Sequence, residues 1–502
     1  MSMASGAKPE STTSAKPEPT IFEKSVPGAN PGQYTPAPQG PALQELLGPA
    51  AEEVLAEGPV PLPELGELDV VRHYTHLAGR NFSIDHNFYP LGSCTMKYNP
   101  RVTEWAASQP GLADLHPLAP DACAQGALRL MHELRTWLAE ISGLDEVTLV
   151  PAAGAQGELT GLKVIMAYYR SLGQARTKVL TPDSAHGTNP ASCTVCGQLA
   201  VPVRSGSDGR IDLDDLAAKL DSDTAALMIT NPNTLGLFER DIVAAAELVH
   251  KAGAQLYLDG ANMNAILGIA RPGDFGADAM HFNLHKTFAT PHGGGGPGSG
   301  PVAVAEHLAP FLPIPQVEKD GDRYRLSFHR PDSIGMVRSF AGQFGMFVRA
   351  WTYIRSLGPD GLRKVSETAV LNANYLAATL KKLLPLPYDG HCMHEFVLSA
   401  MRAGEKDRGL AGRIAKRLID YGIHPPTVYF PLIVPEALMI EPTETESLAT
   451  LEAFLDAMRA ILDELDANPQ SLDHAPHTAP VARVDEIAAA RKPVLRWRKP
   501  AV

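Results

Sequence analysis

Between residues 147 and 286 short apolar runs alternate with stretches of helical periodicity, which restricts the chain to an α/β fold with a mainly parallel sheet covered by helices. Val147-Thr148-Leu149-Val150 is the first run. After it Leu159, Leu162, Ile165, Met166 and Tyr169 recur at helical spacing. Residues 178–181 read as the next strand, and Leu213, Leu216, Ala217 and Leu220 as a helix face. Residues 225–230 read as a further strand, followed by a helix over 241–252 that Gly253 would cap. Leu256-Tyr257-Leu258 then ends in Asp259, and a last apolar run ends at His285-Lys286.

In such sheets ligands bind beyond the carboxyl ends of the strands, where the chemical residues of this chain fall. A lysine and an aspartate there are what a pyridoxal phosphate enzyme needs. Lys286 would form the Schiff base, and Asp259 would keep the pyridine nitrogen protonated so that the ring accepts electrons. Gly154-Ala155-Gln156-Gly157 lies between a strand and a helix, where exposed amides suit a phosphate. It is not a Walker loop, because no Gly-Lys-Ser/Thr follows. After the next strand, His186 is placed to stack on the ring and Thr188 to reach the cofactor. Asn233, in a turn opened by Asn231-Pro232, would stand near the phenolic oxygen, and Ala261 and Asn262 would face the ring from the side opposite His186. His285 either bonds locally or contacts the phosphate. The glycines at 293–296 would form a compact turn admitting substrate. Cys193 and Cys196 lack a second pair to complete a zinc or redox site, so they read as packing residues, and His73 and His76 as surface or packing residues. No metal is expected.

Composition sets limits around this. A formal net charge of −12 argues against nucleic acid or anionic membrane as the main partner. No apolar run reaches membrane-helix length, and the N-terminal stretch has neither an apolar signal core nor an arginine before Arg72. Five cysteines make no disulfide framework in a chain of 502 residues, so a cytoplasmic location is expected.

The domain organisation follows from texture. Residues 1–45, rich in Pro, Ser, Thr, Gly and Ala, read as a mobile arm. Residues 46–143 form a helical segment, 144–340 a large cofactor-binding domain and 341–467 a smaller α+β domain. That smaller domain has helices over 362–384, 410–421 and 446–465 and a strand over 394–399. Residues 468–502 form an irregular tail.

Several segments together resemble the glycine dehydrogenase (decarboxylating) family, the P-proteins of the glycine cleavage system. Within it, the likeness is to the pyridoxal-phosphate-carrying second subunit of the two-subunit form. The carrying residues are Asn81-Phe82-Ser83-Ile84-Asp85, Tyr89-Pro90-Leu91-Gly92-Ser93-Cys94-Thr95-Met96-Lys97-Tyr98-Asn99-Pro100 and Pro151-Ala152-Ala153-Gly154-Ala155-Gln156-Gly157-Glu158. Residues 184–192, Asp259-Gly260-Ala261-Asn262, Leu284-His285-Lys286-Thr287-Phe288, His424-Pro425-Pro426-Thr427 and 441–447 add to it. The resemblance runs from about residue 21 into the 490s; the first twenty residues and the two cysteines depart from it.

It implies a fold type I, aminotransferase-like architecture. Lys286, Asp259 and His186 would have the roles given above, Ala155, Gln156 and Gly157 would cradle the cofactor, and Ser93, Thr95 and Lys97 would line the substrate side. It also implies glycine as substrate, release of CO2 and transfer of the aminomethyl group to the lipoyl arm of H-protein. A separately encoded P-protein subunit 1 would complete the enzyme, two copies of each. Two rival readings share part of this pattern. A simple amino-acid decarboxylase or lyase shares the lysine and aspartate, but residues 89–100 and the acidic 441–447 run argue against it. A cofactor-free scaffold subunit would be expected to lack Lys286 and Asp259.

Overall fold

The computed structural model describes residues 17–28, 40–55, 62–292, 298–401 and 409–497. The glycines at 293–296 and most of the N-terminal arm lie outside these residues.

Seven strands, β1 (Glu146–Thr148), β2 (Lys178–Pro182), β3 (Leu199–Val203), β4 (Thr224–Thr230), β5 (Gln255–Gly260), β6 (Ala279–Phe282) and β7 (Val302–Val304), form one sheet in the order β1-β7-β6-β5-β4-β2-β3. Pairing from β3 through β6 is parallel, and β7 runs antiparallel to both β6 and β1. Strands covered on both faces need apolar residues at every position. In β4 and β5 Leu227, Ile229, Leu256 and Leu258 pack into one core, which includes Leu134 and Leu138 of the Gln125–Ser142 helix. The intervening Met228 and Tyr257 pack on the other side with Leu162, Ile165 and Tyr169 of the Gly154–Ser171 helix. β3, Leu199-Ala200-Val201-Pro202-Val203 with half-exposed residues, and β7, Val302-Ala303-Val304, are apolar runs too, and neither is among the strands expected from the sequence.

A hairpin, β8 (Gln316–Asp320) and β9 (Arg323–Ser327), follows. The expected helix over 362–384 begins much earlier. Helix runs from Phe344 to Leu380 and breaks at Gly358, where φ is 62° and Pro359 follows. Its first half packs Phe347 and Val348 into the main core, and its second half packs Ala373, Leu376 and Leu380 into another. That second core lies under a three-stranded antiparallel sheet of β10 (Phe396–Ser399), β11 (Thr427–Val428) and β12 (Ala437–Ile440), with the Leu410–Asp420 and Leu448–Ala467 helices.

Residues 84–475 form one compact unit, and described residues before 84 and after 475 form another. In that second unit the arm is not wholly unstructured: Glu18 bonds Lys24 and lies 3.6 Å from His73, and Phe22 stacks on Trp497 with ring centroids 4.8 Å apart. The tail contains a short helix, Glu486–Arg491. No helix among the described residues is long and apolar enough to cross a membrane.

The Gly154–Ser171 helix lies close on the sheet because its facing residues are glycines. A Cβ at Gly154 would overlap the Asn283 side chain, one at Gly157 would come within 2.9 Å of Gly300 O and the His281 Cβ, and one at Gly161 would overlap the Tyr257 ring. Gly161→Val should therefore destabilise the chain by roughly 2 kcal/mol or more, read from the midpoint of denaturant unfolding.

Candidate active site

The carboxyl ends of β2, β4, β5 and β6 surround a cavity of about 200 Å³ lined by Lys286, Asp259, His186, Thr188, Ala155, Ala261, His285 and Ser93 among others. Parallel register sets its floor: Thr230 pairs with Asp259 and Asp259 with His281, so three polar side chains stand abreast at the end of an otherwise apolar sheet.

Asp259 is 3% exposed. Its Oδ1 accepts from the Ala261 amide at 2.9 Å and lies 3.2 Å from His281 Nε2, while Oδ2 accepts from Asn189 Nδ2 at 3.1 Å. Burial alone would raise its pKa, but His281, these amides and Lys286 outweigh burial and hold the carboxyl below its ordinary value. Burial lowers the pKa of His281 while Asp259 opposes that, and Tyr257 OH lies 2.9 Å from its Nδ1. Glu158 completes the floor, with one ligand-capable atom each from Glu158, Asp259 and His281 within 4.8 Å of the others. The glycine face of its helix brings it there. Burial first, and Asp259 second, push its carboxyl up to about 9, so it stays protonated at neutral pH.

Above this floor Lys286 Nζ donates to Ser93 O at 2.7 Å. His186 Nδ1 accepts from the Thr188 amide at 3.2 Å, which leaves its proton on Nε2. Burial, then Lys286, lower its pKa. His285 Nδ1 accepts from the Ser299 amide, and burial pushes its pKa down to about 3, so the ring offers a neutral Nε2–H. At the wall, the Gly154–Ser171 helix starts at Ala153 without a side-chain cap, leaving first-turn amides free for an anion.

Five residues expected in the site line no part of this cavity. Asn233 is turned into its own loop: Nδ2 donates to Glu239 and Gly209 O, and Oδ1 accepts from the Leu235 and Leu237 amides. Gln156 accepts from the Ala152 amide and donates to Val337 O, so it braces the turn, and Gly157 serves close packing. Thr95 and Lys97 are buried outside the cavity lining. Lys97 Nζ donates to Asn264 Oδ1, Thr287 O, Tyr353 OH and Glu444 Oε1, and Glu444 with Tyr353 outweighs burial to keep it charged. Asn262 borders the cavity, and its Nδ2 donates to Pro232 O at 2.9 Å. Conversely Glu158, His281, Asn283 and Thr234 line the cavity and were not singled out. The one signal for His281 was its position in the apolar run before Lys286; the others needed knowledge of which helix or loop face meets the strand ends. Cys193 sits in the core, fully buried.

Residues 365–479 match the glycine dehydrogenase C-terminal domain family, and residues 146–296 the aminotransferase class-V family. A protein of Halalkalibacterium halodurans named probable glycine dehydrogenase (decarboxylating) subunit 2 is 60% identical over 89% of this chain and 92% of its own. This chain belongs to the glycine dehydrogenase (decarboxylating) subunit 2 family. A Bacillus cereus protein of the same name is 58% identical over 88% of this chain and 90% of its own. Among solved structures, an inhibitor-bound glycine decarboxylase (P-protein) of the glycine cleavage system superposes with a TM-score of 0.71 at 22% identity, covering 86% of this chain and all of that one. A cysteine desulfurase from Thermococcus onnurineus does so at 0.59 and 17%, covering 82% of this chain and all of that one. The architecture is the fold type I, aminotransferase-like one of pyridoxal-phosphate enzymes.

Glu158 offers a pH test. A carboxyl whose pKa rises from 4.5 to about 9 on folding adds stability at low pH that is lost as pH climbs through that interval. Glu158→Gln cannot titrate. Between about pH 6 and 9 its stability should gain on the parent chain by up to about 1.4 kcal/mol per pH unit, followed by chemical denaturation.

Proposed function

We propose that this chain binds pyridoxal phosphate at the strand-end cavity and, with a first subunit, catalyses decarboxylation of glycine and transfer of its aminomethyl group to the lipoyl arm of H-protein. The observation that carries this is the convergence of Lys286 Nζ, an ionised Asp259 and free helix amides on one cavity.

The residues present fit the cofactor. Asn283 Oδ1 is buried at the cavity wall without a partner among the described residues, and the helix amides there await an anion. Lys286 would hold the cofactor covalently. The free amides around Gly154 and Ala155, with the neutral Nε2–H of His285, would take its phosphate. Bound there, the cofactor supplies an electron sink for the charge left when a carboxylate departs as CO2. Asp259 would keep a proton on the ring nitrogen, and its own donors, Ala261, Asn189 and His281, keep it anionic for that task. Glu158, staying neutral, adds no second negative charge beside it. His186, its tautomer set by Thr188, would pack on the ring. Ser93 and its neighbours would border glycine.

The name subunit 2 carried by the relatives implies a subunit 1. We assign the complex two copies of each and a cytoplasmic location. Exposed Val102 and Trp105 on the Arg101–Ala107 helix support a protein partner.

The purified chain mixed with pyridoxal phosphate should show a visible absorbance band that borohydride abolishes, with the label on Lys286 by mass spectrometry. Lys286→Ala should show neither; a reducible adduct on another lysine would refute the assignment. Exchange of the glycine carboxyl with labelled bicarbonate should be weak for this chain alone and restored by the first subunit and lipoylated H-protein. Full exchange with H-protein alone would overturn the partner.

A further inference from the structure

Glu395 immediately precedes β10 and Glu441 immediately follows β12, and because Phe396 pairs with Ile440 the two carboxyl groups emerge side by side at one end of the C-terminal sheet. Both are 1% exposed or less. Each uses one oxygen in the same way: Glu395 Oε2 accepts from the Ser93 amide at 2.7 Å, and Glu441 Oε2 accepts from the Thr95 amide at 3.0 Å. The remaining oxygens have no hydrogen-bond partner among the described residues. They face His394 Nε2 at 3.9 and 4.0 Å, in a ring that is itself fully buried and without hydrogen bonds.

The two amides they grip belong to strained residues. Ser93 has φ of 65° and Thr95 of 46°. Neither is glycine, and Thr95 is β-branched, so left-handed backbone costs roughly 1–2 kcal/mol at each. Such a turn persists only where its surroundings over-determine it. The surroundings are the two carboxyls, together with the bond from Thr427 Oγ1 to Gly92 O and a β-bridge between Leu91 and Ile440. What the turn presents is the Ser93 carbonyl, the acceptor for Lys286 Nζ.

We propose that Glu395 and Glu441 are positioning residues for Lys286: by gripping the Ser93 and Thr95 amides they hold the 93–95 turn left-handed and so fix the carbonyl that receives the lysine ammonium. The importance of Lys286 rests on the function proposed above; the grip itself does not. Two carboxyl groups this close and this dry do not both ionise cheaply, and burial raises both, Glu441 to about 7. The charged and titratable groups around them are each other, His394, Lys286, Cys94 and Glu444. A protonated carboxyl still accepts from an amide, so the grip survives loss of charge.

The test reads Lys286 without cofactor. Competitive acetylation with acetic anhydride at one fixed neutral pH, followed by mass spectrometry of the Lys286 peptide, gives the reactivity of that amine against an internal standard. The bond to a fixed carbonyl withholds the amine from the reagent, so displacing the carbonyl raises the reactivity. Glu395→Ala and Glu441→Ala should each raise it by about tenfold, the order implied by loss of a hydrogen bond to a charged group. Glu395→Gln and Glu441→Gln, which keep an acceptor oxygen, should restore it. Thr95→Gly placed in the Glu441→Ala background should recover part of the change, because glycine holds φ > 0 unaided. A general weakening of the fold would not be repaired by that glycine. If Glu395→Ala does not fold, Glu441→Ala and its glycine rescue decide the matter. An unchanged reactivity in folded alanine variants, or a change that neither glutamine nor glycine reverses, overturns the proposal. Failure of pyridoxal phosphate to attach to Lys286 would count against the proposed function while leaving this reactivity measurable.

Discussion

Close approach of the Gly154–Ser171 helix to β5 and β6 is the constraint on which the site depends. Three glycines remove the side chains that would hold helix and sheet apart at Asn283, His281 and Tyr257. With the separation reduced, Glu158 reaches Asp259 and His281, and the uncapped first turn opens on the same cavity as Lys286. Wider spacing would move the uncapped helix amides and the carboxylate floor apart together. Packing and chemistry are here one requirement.

Beneath the cavity lies a dry polar layer rather than an apolar floor. Tyr257, His281, Asp259, Asn189 and Glu158 are linked in sequence by hydrogen bonds or close polar contact, all nearly or fully buried. Burial penalises every charge in this layer, yet Asp259 gathers the Ala261 amide, Asn189 and His281 while Glu158 accepts from Asn189 and Ser192 only, so the negative charge settles on Asp259 and Glu158 keeps its proton. The layer thus sorts charge among groups that would otherwise titrate in competition.

Much of this was legible in the residues. Strand ends marked by Asp259 and Lys286 follow from apolar runs closed by a polar residue, and parallel register then brings them together. Helices with continuous apolar periodicity were equally plain. β7, three residues long, carried too little pattern to be seen, and the break at Gly358 needed backbone angles to be told from an ordinary helix start. Side-chain direction was the larger loss. Asn233 follows a strand as His186 does, but its loop folds back, and the amide serves Glu239 and its own backbone. Lys97 sits in a segment that borders the cavity, yet points away from it toward Glu444. No spacing rule distinguishes these cases, because each is settled by partners far away in sequence.

Lys97 also bears on how the molecule can move. One ammonium, fully buried, is bonded at once to the large-domain residue Asn264, the backbone beside Lys286, the long helix at Tyr353 and the acidic segment after β12. Swinging the C-terminal sheet away from the cavity would pull Glu444 from this ammonium and strand two buried charges, at a cost of about 3–5 kcal/mol. A hinge at that seam would be nearly closed by its own electrostatics. Within residues 84–475 that seam is thus clamped by a buried charge rather than joined by apolar packing alone.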